Sequence, residues 1–250
     1  MKILSIYRQH GRPFIRELRE VALPHGFRGR PVIREAPTAA EAERVSGICP
    51  AHAIEAAPFS LDLGKCEFCN ECHFALPEKI VFTNDHRIST NIRENLIIRP
   101  GEDRPIGVDP SAVRKEVRSL FRHALKLRQV SAGGDNSAEM ELNACGNVNF
   151  DMGRYGIEFV ASPRHADGVV VTGPVTRNMC GALRTCYEAV PAPKLLILAG
   201  SAAISGGLFA GSDALDRTFP DGIKPDLYVP GNPPHPLTFI LGILEVTGGR

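Results

Sequence analysis

Residues 154–179, RYGIEFVASPRHADGVVVTGPVTRNM, decide the fold. Two short apolar runs, 157–160 and 169–171, are rich in the branched side chains that suit a strand. Ser-Pro and Asp-Gly punctuate the stretch between them. A Gly-Pro turn follows, and residues 176–190 then read as a helix. Downstream, PAPKLLILAGSAAISGGLF (191–209) supplies a third apolar run at 195–198, and PDLYVPGNPPHP (225–236) a fourth at 227–229. Residues 236–246 read as a closing helix. Continuous apolar strands alternating with helices imply an α/β layered domain whose sheet is largely parallel and covered on both faces.

Working outward, residues 101–130 read as a linker and an amphipathic helix. Asp109-Pro110 has the form of an N-cap and first helical residue. Val113, Val117, Leu120, Phe121 and Ala124 recur at helical spacing, with Arg114, Lys115, Arg118, Arg122 and Lys126 on other faces. This pattern suits a core helix with a solvated basic side. Residues 1–34 carry eight Lys/Arg (Lys2, Arg8, Arg12, Arg16, Arg19, Arg28, Arg30, Arg34) against Glu17 and Glu20, a local net of +6. Such an arm is either solvated or laid on an acidic subunit or lipid headgroups.

The chain has 250 residues, 43% of them hydrophobic, and a formal net charge of +1. That length holds one large domain or two small ones, and that charge points to no nucleic-acid partner. The opening MKILSIYRQHGRPF lacks the long apolar core of a signal peptide. The longest uncharged run, 195–212, is Gly- and Ser-rich in its second half and reads as a buried strand and loop, not a membrane span. The expectation is a soluble, cytoplasmic protein. Gly200-Ser-Ala-Ala-Ile-Ser-Gly-Gly lacks the Lys-Ser/Thr ending of a phosphate-binding loop. No catalytic nucleophile or acid–base pair stands out.

The seven cysteines carry the chemistry. Cys66, Cys69 and Cys72 form C-x-x-C-x-x-C, and Cys49 stands in a Cys-Pro pair. In two-cluster ferredoxins the pattern C-x-x-C-x-x-C-x-x-x-C-P occurs twice, and the fourth cysteine of each run ligates the other cluster. Crossed ligation here gives one complete set for a 4Fe–4S cluster: Cys66, Cys69, Cys72 and Cys49. A second cluster would need sulfur at Ala39, Ala42, Val45 and Leu76, and all four lack it. Zinc is the competing reading, but it favours two paired Cys-x-x-Cys knuckles. His73 is a second-shell or surface residue in this reading. Cys145, Cys180 and Cys186 read as small buried hydrophobes. The last two are six apart on one helix, about 240° round its axis, and cannot easily share a metal.

The segment GFRGRPVIREAP…CPAHAIEAAP…LDLGKCEFCNECHFALPEKI resembles the ferredoxin-like subunits of membrane-bound hydrogenases and of respiratory complex I. Residues 130–250, with SPRHAD, VTGPVT, ISGG and PGxPP, resemble the small subunit of group 4 energy-converting nickel–iron hydrogenases and formate hydrogenlyase. The complex I subunit of 20 kDa is similar. The resemblance implies a flavodoxin-like parallel-sheet domain, preceded by a small α+β ferredoxin-like domain. It also implies a large-subunit partner, membrane subunits, a soluble electron donor, and a peripheral place on the inner face of the cell membrane.

The same resemblance places a proximal cluster in the second half, held by cysteines of three loops. At the matching positions this chain has Asp135, Ala138, Ala202 and Asn232. Arg164 and His165 serve the docking surface or pair with local acids. The expected organisation is therefore a basic arm (1–34), a ferredoxin-like domain (35–100), a linker with its helix (101–130) and a small-subunit domain (131–250). The expected function is an electron-transfer subunit carrying one 4Fe–4S cluster and no proximal cluster. The alternative is a non-redox scaffold whose cluster is a folding staple or redox sensor.

Overall fold

The computed structural model describes residues 3–11 and 13–249. Lys2 and Arg12 of the basic arm lie outside the described residues. The chain runs through α1 (Ile3–His10), β1 (Pro31–Ile33), α2 (Ala39–Ile48), β2 (Ile54–Ala56), β3 (Phe59–Asp62), α3 (Glu71–Ala75), β4 (Ile80–Phe82) and β5 (Ile97–Ile98). Strand β1 pairs antiparallel with β4, and β2, β3 and β5 form a three-stranded antiparallel sheet. These two small sheets and α2 and α3 frame the cysteines. Helix α2 starts where a Thr38–Glu41 capping box satisfies its first amides. Lys79 bonds the same Glu41 at 2.7 Å and, with Thr38, holds its carboxyl down to about 2.

The second half contains α4 (Lys115–Leu120), β6 (Leu125–Ser131), α5 (Ser137–Ala144), β7 (Ile157–Phe159), β8 (Gly168–Thr172), α6 (Arg177–Ala189), β9 (Leu195–Ala199), α7 (Ser201–Ser205), α8 (Thr218–Asp221), β10 (Leu227–Val229) and α9 (Pro236–Thr247). Five strands form one sheet in the order β10-β9-β8-β6-β7, every pair parallel. Counted within the sheet, its first and third strands lie side by side at the centre. That is the flavodoxin-like order, with a topological switch between β6 and β8.

The four apolar runs read from sequence are β7, β8, β9 and β10. Strands β8 and β9 are buried along their whole length, as central parallel strands should be. One sheet face, with Val170, Ile197 and Val229, packs with α9, Leu142 of α5 and Val117 of α4. The other, with Val169, Val171, Leu196 and Leu198, packs with Cys180 and Leu183 of α6 and joins the core of the cysteine half. Alternation along each strand sends neighbours to opposite faces. Helix α9 is apolar all round and almost wholly buried, which suits an internal helix.

Two expectations needed correction. The helix expected from Pro110 to Ala124 is a single turn at Pro110–Ala112 followed by α4. Val113 and Arg114 are extended, with ψ of 133° and 134°, and break the run. Strand β6, the hub of the sheet, occupies the end of the segment read as linker and helix. Its sequence, LKLRQVS, alternates apolar and charged residues, and the basic ones match the preceding helical pattern equally well. The arm is also more than a solvated tail. Leu18 is buried in the core, and Ile15, Val21 and Leu23 pack against it.

Candidate functional site

Cys49 follows α2, while Cys66, Cys69 and Cys72 lie on the loop between β3 and α3 and at the start of α3. The fold brings all four to the lining of one pocket. Ala51, Ala53, Ile54, Leu61 and Phe82 supply its apolar wall. The loop wraps this pocket through left-handed residues: Phe68 has φ of 53° and Asn70 of 77°. A bulky aromatic side chain is rare in that region and must be held there by its surroundings. Phe68 is buried and sits 5.9 Å from the Phe82 ring, which holds it.

The donor set suits thiolate sulfur. The Ala53 amide donates to Cys49 Sγ at 3.2 Å, and the Phe68 amide donates to Cys66 Sγ at 3.3 Å. Without a cation, burial and the neighbouring sulfurs push the Cys66 thiol far above its usual range and Cys72 up to about 12. A bound cationic metal reverses that balance. Among the described residues, no three Cys, His, Asp or Glu side chains are grouped to hold a single metal ion. Cys69 is exposed, so one side of the pocket reaches solvent.

The other residues singled out from the sequence lie outside the lining of this pocket. His73 donates from Nδ1 to the Ile80 carbonyl at 2.7 Å. Val45 and Leu76, two of the positions lacking sulfur for a second ferredoxin cluster, belong to the apolar core. Cys145 is fully buried, with its thiol pushed up to about 12 by desolvation. Cys180 and Cys186 both lie on α6, and Cys180 is 3.8 Å from Thr218 Oγ1. Arg164 and His165 are exposed on a short turn before β8.

A second pocket lies at the carboxyl ends of the parallel strands. Asp135, Ala138, Ala202 and Asn232 all line it. These residues come from the segments after β6, β9 and β10, and Gly173 and Pro174 after β8 complete the floor. The pocket thus opens at the topological switch, where open parallel sheets place their sites. Val175, fully buried beside it, has φ of 63°. For a β-branched residue that is strained backbone at a site rim.

Its polar groups are satisfied within the chain. Asp135 accepts from the Ser137 amide and hydroxyl at 3.0 and 2.6 Å, which hold its carboxyl below the usual range. Glu139 accepts from Ser131 and Thr172 hydroxyls, both at 2.6 Å. Asn232 donates its amide to Glu67. Glu67 sits between Cys66 and Cys69, and sequence reasoning missed it. Only its place inside the cysteine run could have drawn notice. Leu208 and Phe209 also line the pocket and are more than half exposed.

The family described as "NADH ubiquinone oxidoreductase, 20 Kd subunit" matches residues 136–246, from α5 to the end of α9. An NADH-quinone oxidoreductase subunit of Geotalea daltonii is 38% identical over 107 residues, which cover 43% of this chain and 62% of that protein. "Probable membrane-bound hydrogenase subunit mbhJ" of Pyrococcus furiosus is 35% identical over 115 residues, 46% of this chain and 69% of that protein. "Uncharacterized protein MJ0516" of Methanocaldococcus jannaschii is 36% identical over 134 residues, 52% of this chain and 88% of that protein. The chain therefore belongs to the complex I 20 kDa subunit family. It spans about three-fifths of the length of the Geotalea relative. No helix among the described residues is long and apolar enough to cross a membrane.

Proposed function

We propose that this chain is an iron–sulfur subunit of a membrane-associated oxidoreductase assembly, with one 4Fe–4S cluster held by Cys49, Cys66, Cys69 and Cys72. The observation that carries this reading is the convergence of four thiols from two separate segments on one apolar-walled pocket. Two of those sulfurs already accept backbone amides. When bound, such a cluster supplies one-electron storage and transfer. The chain's residues supply the rest. The apolar wall excludes water, and the Ala53 and Phe68 amides stabilise sulfur charge. Cys69 sets the solvent-facing edge, where a donor could approach.

The expected partners are a large subunit of hydrogenase or complex I type, membrane subunits and a soluble donor, and the expected place is peripheral on the inner membrane face. The relatives' names support the assembly. A second reading is favoured by the pocket at the strand ends, which has no cysteine. There the α/β domain is a docking scaffold, and the single cluster is a staple or redox sensor.

Anaerobic iron and sulfide quantitation, with low-temperature EPR of the dithionite-reduced protein, tests the proposal. About four irons per chain and one reduced-cluster signal are expected. A chain without iron sinks both readings of the cysteines, and zinc at one per chain replaces them. About eight irons would place a second cluster at the strand ends through ligands other than cysteine.

A further inference from the structure

The Glu67 side chain leaves the cysteine loop and enters the other pocket. Its Oε1 accepts from Ser201 Oγ at 2.8 Å, and its Oε2 accepts from the Asn232 side-chain amide. Those partners lie 134 and 165 residues away in the chain. Gly207 completes the seat: a Cβ there would come within 3.2 Å of Glu67 Oε1 and 3.1 Å of the Ala202 backbone. The carboxylate therefore stands among Ser201, Ala202, Gly207 and Asn232, where three separate loops meet.

We propose that Glu67 is a positioning residue that anchors the Cys66–Cys72 loop to the strand-end pocket and thereby fixes the orientation of the sulfurs on either side of it. This rests on the reading that the four cysteines hold a cluster. The loop needs such an anchor. Its next residue, Phe68, is held in a left-handed conformation, and the Phe68 amide must point at Cys66 Sγ. Turning the backbone at residue 67 would swing that amide away and move Cys66 relative to Cys69. Two hydrogen bonds to a carboxylate, from groups belonging to the other half of the molecule, oppose that rotation. The same contact makes the strand-end pocket and the cysteine pocket one mechanical unit: displacement of the 230–232 loop pulls on the cysteine loop. Of the residues lining the strand-end pocket, only Glu67 also lines the cysteine pocket.

The test uses the full chain purified anaerobically with its iron. Wild type is compared with Glu67→Ala, Glu67→Gln, Asn232→Ala and the Glu67→Ala/Asn232→Ala double variant. Release of iron to a ferrous chelator is timed, and EPR of the reduced protein is recorded. Glu67→Ala is expected to speed iron release about tenfold, the effect of losing two side-chain hydrogen bonds, and to alter the EPR line shape. Asn232→Ala is expected to give part of that acceleration, and the double variant no more than Glu67→Ala alone. Glu67→Gln keeps an oxygen for Ser201 and reaches Asn232 with its amide flipped, so it should restore near wild-type release and line shape.

Wild-type release and spectrum in Glu67→Ala, at four irons per chain, overturn the anchor and leave the cluster standing. So do effects that multiply in the double variant. A wild-type chain without iron overturns the cluster and the anchor together. If Glu67→Ala cannot be obtained folded, Ser201→Ala and Asn232→Ala make the same comparison from the far side of the contact. Unchanged release and spectrum in both overturn the anchor.

Discussion

Arg93 meets both carboxylate oxygens of Asp62, Nη1 to Oδ1 at 2.8 Å and Nη2 to Oδ2 at 2.6 Å. The same Oδ1 accepts the Gly64 amide at 2.8 Å. This fork fixes the end of β3 and sets the path of the chain into the first loop cysteine. It is partly buried, with 28% and 14% of the two side chains exposed. In such a setting the pairing geometry matters more than the count of charges.

Removing one side of that fork should cost more than removing both. Asp62→Ala leaves a half-buried guanidinium without its carboxylate and the Gly64 amide without its acceptor. A loss of about 2 to 4 kcal/mol is expected in denaturant unfolding. Adding Arg93→Met should recover part of it, because the unpaired charge is gone. Equal instability of the single and double variants would contradict this account.

Gly64 itself tolerates no side chain. A Cβ there would stand 2.7 Å from Arg93 Cζ and 2.9 Å from Ile204 Cγ2 of α7. Gly64→Ala must push either the ion pair or α7 aside, at an expected cost of about 1 to 3 kcal/mol. Thermal unfolding checks the stability. Iron content checks whether the displaced loop still delivers Cys66.

Acid should weaken the fold through His235. The ring is boxed by Phe27 and Phe150, with centroids at 5.2 and 5.7 Å. Its Nδ1 accepts the Leu237 amide at the start of α9, which requires that nitrogen unprotonated. Burial, with His86 adding repulsion, pushes its pKa from 6.5 down to about 4. Below pH 6.5 the unfolded chain therefore binds a proton that the native chain refuses. Stability is full above that pH and falls as the pH drops toward 4, by on the order of 3 kcal/mol. His86 is shifted in the same direction by burial. His235→Asn keeps an N-cap acceptor without the titration. Between pH 5 and 7, its unfolding midpoint should change less than that of wild type.

The cysteines should divide sharply into two groups. Serine at Cys49, Cys66, Cys69 or Cys72 is expected to abolish most bound iron. Serine at Cys145, Cys180 or Cys186 is expected to leave iron unchanged. Cys145→Ser buries a hydroxyl at a fully buried position, so a stability loss of about 1 to 2 kcal/mol should accompany its normal iron content. Iron lost with Cys186→Ser would require a different ligand set.

The sheet was legible where side-chain pattern and chain punctuation agree. Runs such as VVV at 169–171 and LLIL at 195–198 admit no helix face with a polar side, and Gly or Pro brackets each. Strand β6 was missed because Lys126 and Arg128 alternate with Leu125 and Leu127 in a way that extends a basic helical face. What decides between the two is pairing with β7 and β8, a contact between distant segments that local pattern does not contain. The grouping of Cys49 with the loop cysteines was readable from spacing. The destination of Glu67 was not, since its partners lie 134 and 165 residues away and no local pattern links them to the cysteine run.

The links between the two halves run to the last part of the chain. Ser89 bonds Thr238 across 149 residues, Thr238 bonds back to His86 across 152, and Glu67 reaches Asn232 across 165. On the ribosome, the cysteine half therefore emerges well before the surfaces that hold it in place. At about 5 to 20 residues per second, the delay is on the order of ten seconds. During that interval the loop that carries Cys66, Cys69 and Cys72 lacks its distant anchors. Loading of iron before release would meet a floppy and oxidisable site. On the proposed cluster reading, iron insertion is expected after the last helix has docked, and a pulse of labelled iron during synthesis checks that order.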